Sequence, residues 1–330
     1  MNLFYELMGS YQRGLRAVFT PHPFIPLSLM REKGLVFNDI LQNEEDMAFA
    51  AMLAVEEGFD STTLPFDMNV EAEILGGEIL YHEEVEGHPV YPTMGVRTIQ
   101  TAEDIRIPGN LSEAGRMPVI LQAIRKAKED LKDQAGVGAF IPGPFTLAGQ
   151  VLNPDKMFVM VLKKPEVFAA ILERLTDLLS RVRDAYVSAG AEFVTVEEGG
   201  ATTISPRSFE KLLSPRLAAL FSDKKVPHAL SLAGRSDRFI DLLLACRPDA
   251  LGVDQECDLA TVVEKTPEGM PLFCICGAYD MMAKATPEIV CEAVRRCITT
   301  DRVFPLPPAD IYPPAKPENT AAFIETARQG

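Results

Sequence analysis

EFVTVEEGGATTISPRSFEKLL, residues 192–213, is a strand, a break and a helix start in close succession. The run 192–198 is rich in Val, Thr and Phe, the residue types that fill a pleated, buried surface. Gly199-Gly200 interrupts it, and Ser205-Pro206 then supplies a capping hydroxyl followed by a proline suited to the first helical turn. A strand that ends in polar residues and passes through a short loop into an amphipathic helix is the repeating unit of parallel β/α folds.

The same unit recurs on both sides. Strands are expected at 136–143 (GVGAFIPG), 227–234 (PHALSLAG), 249–254 (DALGVD), 271–277 (PLFCICG) and 302–306 (RVFPL). Helices are expected at 164–190, 205–223, 235–247, 286–298 and 317–329; Gly190 stops the first and Thr286-Pro287 opens the fourth. Upstream, PFIPLSLM (23–30) and FDSTTLPF (59–66) supply two more strands around the helix-like 44–58. Eight β/α units without a Gly- or Ser-rich linker predict one domain over residues 1–330, an α/β fold built as a single (β/α)8 TIM barrel. GGEILYHEEVEGHPVYPT (76–93) alternates apolar and polar residues around Glu86-Gly87, which predicts a β-hairpin inserted after strand 2. Residues 1–20 are expected to form a helix across the barrel floor.

The 330 residues are 47% hydrophobic and carry a net charge of −15, with no long run of Lys or Arg, so a nucleic-acid footprint is missing. No apolar run approaches the roughly 18 residues of a membrane span, and the first residues lack a signal-peptide pattern, so a cytoplasmic location is expected. Six cysteines in this length, mostly in apolar contexts, imply no disulfide framework.

In a barrel of this kind chemistry belongs at the C-terminal ends of the strands. There stand Arg31, Asp67, the loop PGPFTLAGQ (142–150), Glu197 and Glu198, Ser231, Asp254 and Gln255, Cys276 and Gly277, and PPADIYPP (307–314). The mouth is rich in carboxylates and poor in histidine. Asp67 can hold a proton or cap the following helix; Arg31 can grip an anion with its planar fork or pair on the surface. Of the adjacent Glu197 and Glu198, one normally points to solvent. The four histidines, His22, His82, His88 and His228, are scattered. Cys274 and Cys276 share a strand face but lack a third ligand within plausible reach, so they read as buried strand cysteines.

PGPFTLAGQ, AGAEFVTVEEGGATTISPRSFEKLL (189–213), HALSLAG (228–234), DALGVD and PPADIYPPAKPENTAAFIETAR (307–328) resemble the uroporphyrinogen decarboxylase superfamily, in particular its methylcobamide:coenzyme M methyltransferase branch. The likeness runs over 20–328 and implies a (β/α)8 barrel. That branch holds a thiol-activating zinc with a His-x-Cys-Gly motif after strand five and a Cys after strand eight. Here those positions are Ser231, Leu232, Ala233, Gly234 and Ala309, so no zinc is expected. Against the decarboxylase branch, Met30-Arg31 and Asp67 match, whereas Leu35, Gln150 and Ala309 stand where it has Arg, Tyr and His.

The resemblance, stripped of its zinc ligands, implies a corrinoid-dependent methyltransferase of one-carbon metabolism, working with a methylcorrinoid (cobalamin) on a partner corrinoid protein. A reduced pterin such as tetrahydrofolate suits the small methyl acceptor, because its N5 is nucleophilic without a metal. Asp67, Glu198 and Asp254 are the expected catalytic residues; Arg31, Gln150, Ser231, Gln255, Asp310 and Tyr312 are expected to bind the acceptor. A carboxy-lyase acting on a smaller carboxylated substrate and a non-catalytic corrinoid- or tetrapyrrole-binding barrel are the alternatives, and homodimerisation is left open.

Overall fold

The computed structural model describes Glu6 and residues 16–85, 88–97, 99–223, 225–278, 280–308 and 315–330. A curled parallel sheet of seven strands organises them: β1 (Ser61–Leu64), β4 (Gly136–Pro142), β5 (Phe193–Glu197), β6 (His228–Leu232), β7 (Ala250–Val253), β8 (Leu272–Ile275) and β9 (Val303–Leu306), paired in that order. Helices join successive strands, in the manner of a TIM-like barrel. Between β1 and β4 the described residues carry an antiparallel pair, β2 (Ile79–Leu80) with β3 (Thr93–Met94), and an isolated bridge from Val85 to His88.

The helix signals hold where the side chains can act. Ser205 caps Pro206–Leu212 by accepting from the Ser208 amide, and Gly190 ends Pro165–Ala189 with φ 120°. The single helix expected over 205–223 is instead two, Pro206–Leu212 and Ser214–Leu220, because Pro215 has no amide hydrogen with which to continue the first.

Two expectations at the N-terminus are overturned. Residues 23–30 form no strand: Pro23 and Pro26 have no donors for a ladder, and the chain enters the helix Leu27–Glu32 directly after Pro26. Residues 16–20, expected to be helical, form no helix and run between the sheet's two edge strands. On one side the Val18 amide donates to Asp60 Oδ2 at 2.7 Å, the Thr20 amide to Ser61 Oγ at 2.8 Å, and Thr63 Oγ1 to the Thr20 carbonyl at 2.5 Å. On the other, Arg16 Nη1 donates to the Val303 carbonyl at 3.3 Å and Phe19 meets the Phe304 ring edge-on at 5.3 Å. Side chains carry most of this pairing, so the segment lacks the regular backbone ladder that defines a strand. The rest of the expected floor helix, apart from Glu6, lies outside the described residues.

Inside the curl, Phe19, Phe193, Phe273 and Phe304 fill the lower interior with Ala17, Ala229 and Ala250. Gly138 is small for that reason: a Cβ there would come within 2.2 Å of the Phe193 ring. Above the aromatic plug, a cavity opens toward the strands' C-terminal ends. Outside the sheet, Val194, Val196, Leu251 and Leu272 belong to the larger core beneath the helices. Among the described residues, no helix is long and apolar enough to cross a membrane.

Candidate functional site

Strand β5 decides which acid faces inward. Side chains alternate along a strand, so Phe193 and Thr195 put Glu197 on the interior face and leave Glu198 for the opposite one. Glu197 lines a cavity of about 430 Å³ at the strand C-termini. Glu198 is fully buried behind the sheet. There its carboxylate accepts from the Phe145 amide, the Thr146 amide and Thr146 Oγ1, each at 3.0 Å, and so closes the N-terminus of Pro144–Val151. Gly143 makes room for it, because a Cβ there would lie 2.3 Å from the Glu198 carboxyl carbon. Burial nevertheless pushes Glu198 up to about 7, against the pull of its three donors.

Glu197 Oε2 meets His22 Nε2 at 3.2 Å. His22 comes from the proline-rich bend after residue 20, and its ring stands edge-on to Phe140 at 5.6 Å. Phe24, Phe66, Ile275, Leu306 and a series of prolines supply most of the remaining wall. A histidine and a carboxylate in contact inside an apolar cavity form a pair able to hold and pass one proton.

The opposite wall carries Asp67, which is 4% exposed. Arg116 grips its carboxylate bidentately, Nη1 to Oδ2 at 2.7 Å and Nη2 to Oδ1 at 3.1 Å, and the Asn69 amide donates to Oδ1 at 2.8 Å. The same guanidinium donates Nε to Glu73 Oε2 at 2.7 Å and Nη1 to the Leu41 carbonyl at 3.1 Å. Burial opposes the Arg116 charge, but Asp67 and then Glu73 more than restore it. Glu71, in the helix Val70–Ile74, is fully buried with Oε1 unpartnered, and burial pushes it up to about 8, which favours its neutral form. Asn69 also ties this wall to the excursion after β1, donating Nδ2 to the Pro92 carbonyl at 2.9 Å.

Of the nine residues expected at the site, the structure brings Asp67 and Gln150 to the cavity. Gln150 donates Nε2 to the Met68 carbonyl at 2.8 Å and leaves a buried Oε1 without a partner. Arg31 is exposed on Leu27–Glu32, 3.8 Å from Glu84, because the segment that carries it is a helix and not an inward-pointing strand end. Ser231 is buried on the interior face of β6 beside Gly252 and outside the lining; Asp254 accepts from the amides of Gly234 at 3.4 Å and Glu256 at 3.1 Å. Gln255 is exposed and borders a different cavity, and Cys276 lies buried behind β8 rather than at the mouth. Asp310 and Tyr312 lie outside the described residues.

Three residues escaped the sequence. Arg116 lies 49 positions from Asp67, and only the fold joins them. His22 was one of four scattered histidines, and Glu197 was indistinguishable from its neighbour until the strand's facing was known. The period-2 pattern of EFVTVEE held the only signal: with Phe193 inward, Glu197 follows.

The zinc ligand set implied by the resemblance does not fit these residues. Ser231 offers a hydroxyl and Ala233 offers nothing, and among the described residues no group of three His, Cys, Asp or Glu side chains is placed to hold a metal ion. The described lining also contains no Lys or Arg, since the Arg116 guanidinium is spent on Asp67 and Glu73. The cavity therefore suits a small, mostly apolar ligand that offers hydrogen bonds or a titrating nitrogen.

The uroporphyrinogen decarboxylase (URO-D) family profile matches residues 23–330. A methylcobamide:CoM methyltransferase of Methanosarcina barkeri is 24% identical over 70% of this chain and 68% of its own length. A uroporphyrinogen decarboxylase of Trichlorobacter lovleyi is 24% identical over 91% of this chain and 93% of its own. Across the first two methyltransferase relatives the chain spans 65% and 68% of their lengths. Among solved structures, a methyltransferase from Methanosarcina mazei superposes with a TM-score of 0.85 at 21% identity, covering 100% of this chain and 99% of that one, which is a statement about fold.

Proposed function

The chain belongs to the uroporphyrinogen decarboxylase family, and on that premise we propose that it moves a methyl group between a methylcorrinoid on a separate protein and a small acceptor seated in the mouth cavity. It is an enzyme, a methyltransferase. The methylcobamide named for a relative supports the donor, and the cavity of about 430 Å³ supports the small acceptor. The residues implied for zinc-activated thiol transfer do not fit, so the acceptor nucleophile is one that attacks without a bound metal; the N5 of tetrahydrofolate answers that requirement. His22 and Glu197 hold the proton that the acceptor nitrogen carries or sheds, Gln150 Oε1 receives a ring N–H, and the apolar wall excludes water. The mouth is read as that of a closed barrel, with residues 16–20 as the eighth stave between β1 and β9 and residues 76–93 as an inserted hairpin.

The observation that carries this reading is that the described cavity lining offers no Lys or Arg, the nearby Arg116 being paired behind it. A decarboxylase substrate must bring its reacting carboxylate into the cavity and needs a free guanidinium there, and Arg116 is committed to Asp67 and Glu73, whereas tetrahydrofolate needs to place only its uncharged pterin inside, with its tail carboxylates left in solvent. The test adds tetrahydrofolate and the purified chain to methylcobalamin and follows the corrinoid spectrum. Tetrahydrofolate-dependent demethylation, lost in Glu197→Gln, is the expected result. A silent spectrum together with carbon dioxide release from a carboxylated substrate would move the chain to the lyase reading.

A further inference from the structure

Behind β8, on the face of the sheet opposite the mouth, three of the chain's six cysteines meet. Strand alternation turns Cys274 and Cys276 outward together, and the last residue of the helix Pro287–Cys297 brings the third. Cys274 Sγ donates to Cys297 Sγ at 3.1 Å, and both thiols are almost fully buried. A cavity of about 600 Å³ opens onto them, bordered by Met281, Lys284 and Arg296. Of the remaining cysteines, Cys257 borders the same cavity but is tied to Ser236 and the Gly234 carbonyl, while Cys246 donates to the Leu242 carbonyl and Cys291 meets Thr326.

We propose that Cys274 and Cys297 form a reactive dithiol that exchanges with low-molecular-weight disulfides entering this cavity, and that the product is a Cys274–Cys297 disulfide. The two sulfurs need to approach by about 1 Å to reach the S–S bond length of ~2.05 Å, a movement within the reach of side-chain rotation. The Cys297 thiolate attacks one sulfur of R–S–S–R, forming Cys297–S–S–R and releasing RS⁻. The Cys274 sulfur, on losing its proton, attacks the Cys297 sulfur and releases the second RS⁻. The two protein thiols lose two electrons, the small disulfide gains them, and the two thiol protons end on the two RSH. Hydrogen bonds from Cys274 and then Cys276 draw Cys297 below the ordinary thiol range, whereas burial holds Cys276 well above it, which makes Cys297 the attacking group. Ile275, between the two strand cysteines, lines the mouth cavity, so the cross-link sits directly behind one wall of the candidate site.

The test incubates the full native chain with glutathione disulfide, quenches in acid, alkylates the remaining thiols and maps the peptides by mass. The expected product is a Cys274–Cys297 cross-link that forms at least about tenfold faster than modification of any other cysteine. Cys274→Ser should stop the reaction with one glutathionyl group on Cys297, and Cys291→Ser should leave the cross-link unchanged. A native chain that stays unmodified while the denatured chain reacts, or one that reacts first at the more exposed Cys291, overturns the proposal without recourse to any variant.

Discussion

The two walls of the mouth cavity treat their carboxylates in opposite ways. On the β1 side, Asp67 is held by the Arg116 fork and the Asn69 amide, and burial favours the neutral form of Glu71. On the β5 side, among the described residues, Glu197 hydrogen-bonds through its side chain to His22 and faces open volume. A carboxylate with both oxygens held by fixed donors ties the structure together, whereas one set against a histidine at open volume is placed to meet a ligand. Just past β5, Glu198 is likewise held by fixed donors, closing a helix from behind the sheet, although burial raises its carboxyl to about 7.

The sharpest way to break this contrast is to remove Arg116. Arg116→Met should cost about 3–5 kcal/mol of unfolding free energy in urea titration, because Asp67 is left buried and unpaired. The double variant Asp67→Leu, Arg116→Met should recover most of that loss; a single variant as stable as the parent would show that the β1 wall is not held by this pair.

Glu71 comes next. Its carboxyl rises from an ordinary value of 4.5 to about 8 in the fold, so the folded state binds the extra proton. That contribution to stability is whole below about pH 4.5 and is lost as pH rises through about 8. Glu71→Gln should therefore match the parent near pH 4 and exceed it by a few kcal/mol, in order of magnitude, near pH 9. Parallel stability curves across that range would place Glu71 in a wetter setting than the structure gives it.

Glu197→Gln sharpens the contrast from the other side. Turnover should fall roughly 100-fold with acceptor affinity little changed, His22→Ala should do the same, and the double variant should add little. Additive losses would mean that the two residues do not share a proton. The smallest effect belongs to Glu198→Gln, whose new amide group would face backbone N–H donors. A cost of about 2 kcal/mol in stability is expected, with the pH dependence of turnover unchanged; a shifted pH profile would return Glu198 to the catalytic set.

Much of the fold was legible because it is local. Val- and Thr-rich runs such as 192–198, the Ser205-Pro206 start and the Gly190 stop need only neighbours in sequence to take their conformation. The first strand was misread for an equally physical reason. PFIPLSLM has the apolar content of a strand, but its prolines cannot donate to a ladder, and the pairing along β1 moved back to 16–20, where side chains carry much of it. Within the site, Asp67 and Gln150 stood at strand and helix positions that the β/α pattern located unaided. Arg31 failed with the strand that was to present it.

By itself, then, the order of residues determined the β/α alternation, the strand ends at which polar groups gather and the absence of the zinc ligand set, since each depends on residue type and short spacing. Only the tertiary structure decided that Arg116 neutralises Asp67, that His22 rather than any other histidine meets Glu197, and that Cys297 completes a thiol cluster with Cys274 and Cys276. Those choices join residues 23 to 175 positions apart, and which partners meet at such separations is set by how the sheet curls and which face each strand turns inward.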